Sequence, residues 1–273
     1  MAQHTQYTHI SVERSFQDRI ATITLRRPEV HNAFNAQLVE DLMAAFDGLG
    51  NDERLHGVVL TGDGPSFSAG ADLNSMKASA KFTEEQNLND ALRLADLLYT
   101  INTFPCPVVA RVNGTAMGGG VGLVSVCDIA IAAETARFAF SEVKLGIAPA
   151  VISPYVVSKI GESNARMLFV TGERFSAVRA REIGLVHSVV PLEHLDDAVQ
   201  KALNELLTSA PQAIRMCKTL ALNIGQMDYQ TARRYTAETI AQLRVGDEGQ
   251  EGLRSFLEKR KPNWVASSDD MKQ

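Results

Sequence analysis

Apolar and polar positions along this chain fall into a mixture of periods at first and into a helical period alone further on. Residues 20–25, IATITL, alternate apolar side chains with threonine, as a half-buried strand does. Asn35 is placed to cap a helix over AQLVEDLMAAFDGLG, where Leu38, Leu42, Phe46 and Leu49 share one face and Gly48 and Gly50 suit the C-terminus. HGVVLTG, ending at Gly62, reads as a short buried strand, and a Gly/Ser-rich loop follows from Asp63 to Gly70. A second helix is expected over Asn87 to Asn102, with Leu88, Leu92, Ala95 and Tyr99 in step. Pro105 and Pro107 then precede a strand in PVVARVNG, the run Gly118-Gly119-Gly120 opens a helix in VGLVSV, and DIAIAA reads as another strand before RFAFSEVKLG.

The pattern changes from Leu192. LEHLDDAVQKALNELL, PQAIRMCKTLALNI, YQTARRYTAETIAQLR and EGLRSFLEKR all carry helical periodicity with no strand between them. A boundary is expected near residue 205, giving an α/β core over 1–205 and a helical region over 206–273. No low-complexity tract interrupts the chain. The strand-strand-helix cadence of the first half leaves room for a divergent repeat.

Composition narrows the function. With 32 acidic and 27 basic residues the formal net charge is −5, which argues against a nucleic-acid partner, since such a partner demands a basic footprint. Cys106, Cys127 and Cys217 are too few and too scattered for a disulfide framework or a cysteine zinc site. The opening MAQHTQYTHI has neither a signal-peptide nor a transit pattern, and no apolar stretch reaches spanning length. A soluble protein of the reducing cytoplasm is expected, without a membrane partner.

Three features could carry chemistry. The glycine run lies between an apolar strand and an apolar helix, where backbone N–H groups collect at the positive end of the helix dipole and no side chain blocks them. It suits a phosphate or a developing oxyanion, or it merely lets a helix pack closely on a sheet. Phosphate fingerprints do not fit: Leu123 and Ser125 stand where a dinucleotide loop needs glycine or alanine, and no Lys-Ser/Thr pair follows. Asp72, in SAGADL, follows a second Gly/Ser loop that could offer another amide. Glu142 sits among Phe138, Phe140, Val143 and Leu145, so desolvation would raise its pKa toward the range of a general acid/base. The alternative is a helix-start glutamate paired with Lys144 or held by the dipole. His4, His9, His31, His56, His187 and His194 form no metal motif, and His187, ahead of a strand, reads as structural.

Six blocks in order resemble the crotonase superfamily of enoyl-CoA hydratases and isomerases: LRRPEVHNAFN, FSAGADL, PVVARVNGTAMGGGVGL, CDIAIAAETARFAFSEVKLGI, TGERFSAVRAREIGLVHSVVP and FLEKRKP. The resemblance implies an α/β crotonase-like spiral of strand-strand-helix repeats with a C-terminal helical trimerisation region, assembled as a homotrimer or a hexamer. It implies an acyl-CoA thioester substrate, with no cofactor beyond the coenzyme A the substrate carries. The amides of Ala71 and Gly119 would bind the thioester oxygen, and Glu142 would move the proton. The CoA moiety would pass Arg27, His31, Ala33, Ala69, Asp72, Leu73 and Asn74, with Phe256 and Lys259 reaching its nucleotide end from a neighbour. Many relatives place a first glutamate where this chain has Gly122. A single carboxylate is compatible with double-bond isomerisation, or with hydration in which Glu142 deprotonates water and returns the proton to the α carbon. GGGVGLVSVCDIAIA, SEVKLGIAPAVISPYVV and EGQEGLRSFLEKR resemble bacterial methylglutaconyl-CoA and carboxygeranoyl-CoA hydratases. Substrates of that group carry a second carboxylate, for which Lys77 and Arg93 are the candidates here. Another crotonase reaction, such as decarboxylation or thioester hydrolysis, stands beside isomerisation as an alternative, and a non-catalytic, RNA-binding relative is the remaining one, disfavoured by the acidic pI of about 5.7 and by the retained Glu142.

Overall fold

The computed structural model describes residues 7–265; His4, the opening segment and the far ends of the two expected regions lie outside the described residues. In chain order the elements are β1 (Ile10–Ser15), β2 (Ile20–Leu25), α1 (Ala36–Gly50), β3 (Gly57–Gly62), β4 (Ser66–Ser68), α2 (Leu73–Ser79), α3 (Glu84–Asn102), β5 (Val108–Val112), β6 (Thr115–Met117), α4 (Gly119–Val126), β7 (Ile129–Ala133), β8 (Arg137–Ala139), α5 (Ser153–Thr171), β9 (Arg174–Ser176), α6 (Ala177–Glu182), β10 (Ser188–Val190), α7 (Leu195–Thr208), α8 (Pro211–Asn223), α9 (Tyr229–Val245) and α10 (Asp247–Leu257).

Two sheets organise the core. The larger runs β1-β2-β3-β5-β7-β10 and the smaller β4-β6-β8-β9. Both are parallel except for the antiparallel pairs β1/β2 and β8/β9. Each of β3, β5 and β7 enters the large sheet, and the short strand after it enters the small one before the chain turns into helix. This strand-strand-helix turn, made three times, is the spiral that the sequence resemblance implies.

The large sheet is covered on both faces, and alternation along its strands divides the core. Val58, Leu60, Val108, Ala110 and Val112 join the main core with α1, α3 and α4. Val59, Val109, Ile131 and Ala133 point the other way, against Leu195, Val199, Leu203 and Leu207 of α7. Residue 205 lies inside α7, so the chain leaves the sheet layer only after Thr208. Beyond it, Lys218 of α8 forms a buried ion pair of 2.8 Å with Asp128, whose carboxylate also accepts from Val108 N–H at 2.7 Å.

Several sequence expectations need adjustment. The strand β1 precedes the first strand expected. The loop over Asp63–Gly70 contains β4. Helix α3 starts at Glu84 rather than Asn87, because Thr83 and Gln86 close a reciprocal capping box one turn earlier. RFAFSEVKLG divides into β8 and a 3-10 turn over Ser141–Leu145. Asn35 caps α1 as expected, its side chain accepting from Leu38 N–H at 2.9 Å.

Candidate active site

Two loops meet where the spiral turns from small sheet to helix. In the first, Gly70, at φ +84, gives its carbonyl to Phe34 N–H at 2.6 Å, and Asp72 N–H donates to Phe34 O at 2.9 Å. This parallel bridge between Phe34 and Ala71 uses the peptide groups on either side of Ala71 and turns Ala71's own N–H away from Phe34. In the second, Gly118, at φ +48, links β6 to α4, and Gly119 is the first residue of α4. The N–H of that position has no partner within the helix and lies at the positive end of its dipole. The loops touch: a Cβ on Gly70 would lie 2.7 Å from Met117 O and 3.6 Å from Gly119 N.

The three glycines serve different needs. A Cβ on Gly120 would stand 2.2 Å from Ser68 O, so this glycine lets α4 pack on the small sheet. A Cβ on Gly118 would stand 3.0 Å from a Glu142 carboxylate oxygen, and one on Gly119 would stand 3.4 Å from the Phe34 ring. The packing role and the open-amide role proposed from sequence therefore occupy adjacent residues.

Glu142 projects from the 3-10 turn after β8 toward this point. Its Oε2 is buried without a protein hydrogen-bond partner. Burial raises its pKa above the ordinary carboxylate value, offset only in part by a backbone hydrogen bond. Among the described residues Glu142 makes no ion pair, and Lys144 lines a different cavity.

A cleft of about 540 Å³ opens over these groups. Its floor and rim are Phe34, Ala69, Ala71, Gly118, Gly119 and Glu142, and its far wall is Leu94, Ile147, Pro149, Val151 and Ile152. Among the described residues Glu142 is the only titratable side chain lining it. No carboxylate stands at position 122: a Cβ on Gly122 would fall 2.4 Å from Ile152 Cγ2. Ile152 and Phe34 were not anticipated from sequence, since each matters through a contact with a residue remote in the chain.

The other residues singled out from sequence are distributed around the cleft. Arg27 and Asp72 are both buried and pair with each other at 2.8 Å. Arg27 also donates to Ala33 O, and Asp72 caps α2 through the N–H groups of Asn74 and Ser75. Burial pushes the Asp72 carboxyl up, but Arg27 and those two N–H groups outweigh it and hold its pKa below the usual value. Leu73 and Asn74 are exposed at the start of α2, and Leu73 borders the cleft. His31 and Ala69 line a neighbouring cavity of about 710 Å³ with Arg137, Lys144 and Arg174, three cations that sequence reasoning did not single out. Arg137 spends its guanidinium on the carbonyls of residues 134–136, whereas Lys144 and Arg174 make no ion pair among the described residues.

Arg93 is in a third cavity, of about 320 Å³, which shares Phe34, Ala71, Met76 and Leu94 with the cleft. It lies 3.9 Å from Glu40. Lys77 is exposed on α2 and lines none of these cavities. Phe256, on α10, and Lys259 just beyond it are exposed and do not line the cleft of their own chain. His187 Nδ1 accepts from Ala130 N–H at 2.9 Å, joining β10 to β7, the structural part read for it.

Comparison with known proteins places this geometry. The chain matches the family model described as enoyl-CoA hydratase/isomerase over residues 15–267. It is 36% identical over 242 residues to the enoyl-CoA hydratase AKT6-1 of Alternaria alternata, covering 88% of this chain and 78% of the relative. An enoyl-CoA hydratase structure from Shewanella pealeana superposes with a TM-score of 0.91 at 40% identity, over 95% of this chain and 97% of the other. Pseudomonas aeruginosa AtuE superposes with a TM-score of 0.92 at 33% identity, over 95% and 100%.

Proposed function

The chain belongs to the enoyl-CoA hydratase/isomerase family, and from that premise we propose that it hydrates a branched 2-enoyl-CoA thioester with Glu142 as its one catalytic carboxylate. The observation that carries this reading is that Ala71, Gly119 and the half-buried Glu142, whose Oε2 has no protein hydrogen-bond partner, line one largely apolar cleft. The thioester oxygen accepts from both amides. Glu142 takes a proton from water as the water oxygen bonds to the β carbon. The double-bond electrons move onto the thioester oxygen, and the enolate is held by groups already aimed at it. Glu142 then returns the proton to the α carbon. Water has been added, and the enzyme regains its starting protonation. Hydrogen-bond donors of this kind contribute about 10²–10³ each in kcat.

The acyl group is read from the lining. The apolar wall of Leu94, Val151 and Ile152 suits a branched hydrocarbon segment. A second carboxylate, as in methylglutaconyl-CoA, would have to enter the adjoining chamber, where Arg93 is the cation and would have to turn from Glu40, with Asp90 lining the same chamber, to meet it. The CoA nucleotide follows His31 and Ala69 toward Lys144 and Arg174. Assembly into trimers or hexamers, with Phe256 and Lys259 of a neighbour near the nucleotide, belongs to the same proposal.

Purified protein with a panel of acyl-CoA esters, including crotonyl-CoA and methylglutaconyl-CoA, tests it. Hydration bleaches the conjugated enoyl-thioester absorbance and yields a 3-hydroxyacyl product, fastest with the branched ester. Isomerisation has one observation in its favour, since the Gly122–Ile152 contact leaves one base to shuttle a proton. Absorbance that rises with a 3-enoyl ester, with no hydrated product from any 2-enoyl ester, would replace hydration by isomerisation.

A further inference from the structure

Ile152 packs on a glycine 30 residues earlier in the chain, Gly122 of α4. The Ile152 backbone is fixed at the entrance to α5, where its carbonyl accepts Val156 N–H at 3.1 Å. Its side chain is 3% exposed and rests on Gly122 of α4 so closely that a Cβ there would lie 2.4 Å from Cγ2 and 3.1 Å from Cβ of Ile152. Leu98 Cδ2 closes the same spot from α3, 3.8 Å from that added atom. The wall is therefore the β-branched Ile152 side chain, held close to its backbone at the entrance to α5 and packed between α4 and α3.

Gly122 follows Gly119 by nearly one helical turn, about 4.5 Å along the axis and close to the same face. With the thioester oxygen on Gly119 N–H, the α and β carbons lie within a few bonds of that point. The cleft surface next to them along α4 is the Ile152 side chain, with Leu94 and Val151 beside it. No polar group in that wall can bind water or a second carboxylate. An unsubstituted β carbon would leave a gap there, and a gap lined only by hydrocarbon forfeits contacts without holding a water. A methyl or larger apolar group on the β carbon fills it.

We infer that Ile152, seated on Gly122, is a specificity-determining residue that selects thioesters carrying an apolar substituent at the β carbon. The inference rests on the hydratase reading and adds to it the position of the branch. It also assigns the packing of position 122 to substrate choice: the glycine makes room for the isoleucine, which makes contact with the substrate.

The test compares kcat/KM for 3-methyl-2-enoyl-CoA and for the unbranched 2-enoyl-CoA of equal chain length. Ile152→Ala should lower the branched-to-unbranched ratio by about 10-fold or more, the range in which pocket methylenes discriminate. Ile152→Leu keeps side-chain volume and so protects the fold, but removes Cγ2 from Gly122, and should lower the ratio in the same direction. Gly122→Ala should push Ile152 into the cleft and depress turnover of the branched ester, and adding Ile152→Ala to it should recover part of that loss. A ratio that stays within about twofold of wild type in folded Ile152→Ala and Ile152→Leu would overturn the inference while leaving hydration intact. Wild-type protein that hydrates neither ester would overturn this inference, and one that hydrates no 2-enoyl ester of the wider panel would overturn the hydratase reading as well.

Discussion

Glu142 combines two properties that pull against each other: it is the carboxylate that moves protons in the proposed reaction, and its own charge is poorly supported by the fold. Replacing it tests both. Glu142→Gln should lower turnover by at least about 10²-fold, the usual contribution of a positioned general acid/base, and near-normal turnover would remove Glu142 from the mechanism. The same variant should unfold at a higher temperature than wild type near neutral pH. The sign follows from the raised pKa: the folded state binds this proton more tightly than the unfolded state, so the contribution is favourable at low pH and is lost as pH rises through the folded value. Glutamine, which cannot ionise, avoids that loss. Because Glu142 must be ionised to accept a proton from water, the acid limb of the kcat/KM profile should lie above the ordinary carboxylate range, and a limb at or below it would contradict the proposed role. At this scale the sequence was informative about groups whose chemistry is local. The glycine run and Glu142 stand out by type and neighbours, each beside a structural alternative, and Gly119 is singled out within the run by the family resemblance alone. Ile152 does not stand out, because a buried isoleucine has no chemical signature and its meaning lies in a glycine on another helix.

The elements that present Ala71 are held by a pair of charges. Arg27, just beyond β2, and Asp72, at the head of α2, are 45 residues apart, and their contact fixes the loop that carries Ala71 against Phe34. Both are nearly fully buried, so removing one leaves the other with backbone hydrogen bonds but no countercharge. Arg27→Ala should destabilise the fold by about 3–5 kcal/mol in urea unfolding, whereas joint replacement by Arg27→Met and Asp72→Leu should cost markedly less. An Arg27→Ala variant as stable as wild type would show that the loop does not depend on the pair. Long elements were legible because two signals coincide in them: in α1 the Asn35 cap precedes an apolar face in register. The four members of the small sheet have three residues each, too few for a period, and they exist because neighbouring turns of the spiral supply their partners. Arg27 and Asp72 were each singled out from sequence but not as a pair, since pairing across that separation is a product of the fold.

Taken as one body, the molecule closes its sheets but leaves its last helices open. Alternate residues of β3, β5 and β7 feed the two cores, and α7 seals the second, so the sheet layers need no partner. The helices after it differ. Val245, Leu253, Phe256 and Leu257, on α9 and α10, all stand exposed, Phe256 at 81% and Leu257 at 78%. Apolar surface gathered at one end of a chain marks an interaction site more than a solvated one. The helical tail was legible from its period, and its unpartnered face was not, because an apolar helix stripe looks the same whether its cover comes from its own chain or from another. Light scattering should give a mass of three or six times the 29.7 kDa chain. Joint replacement of Phe256→Asp and Leu257→Asp should shift that mass toward one chain without unfolding the sheet core, to which neither side chain belongs. If a neighbour's Phe256 and Lys259 close the nucleotide end, the dissociated variant should lose affinity for the CoA thioester, raising KM more than it lowers kcat, because the carboxylate and both amides come from one chain. A wild-type monomer, or a dissociated variant with unchanged KM, would separate assembly from the active site and leave the exposed face of α10 to another partner.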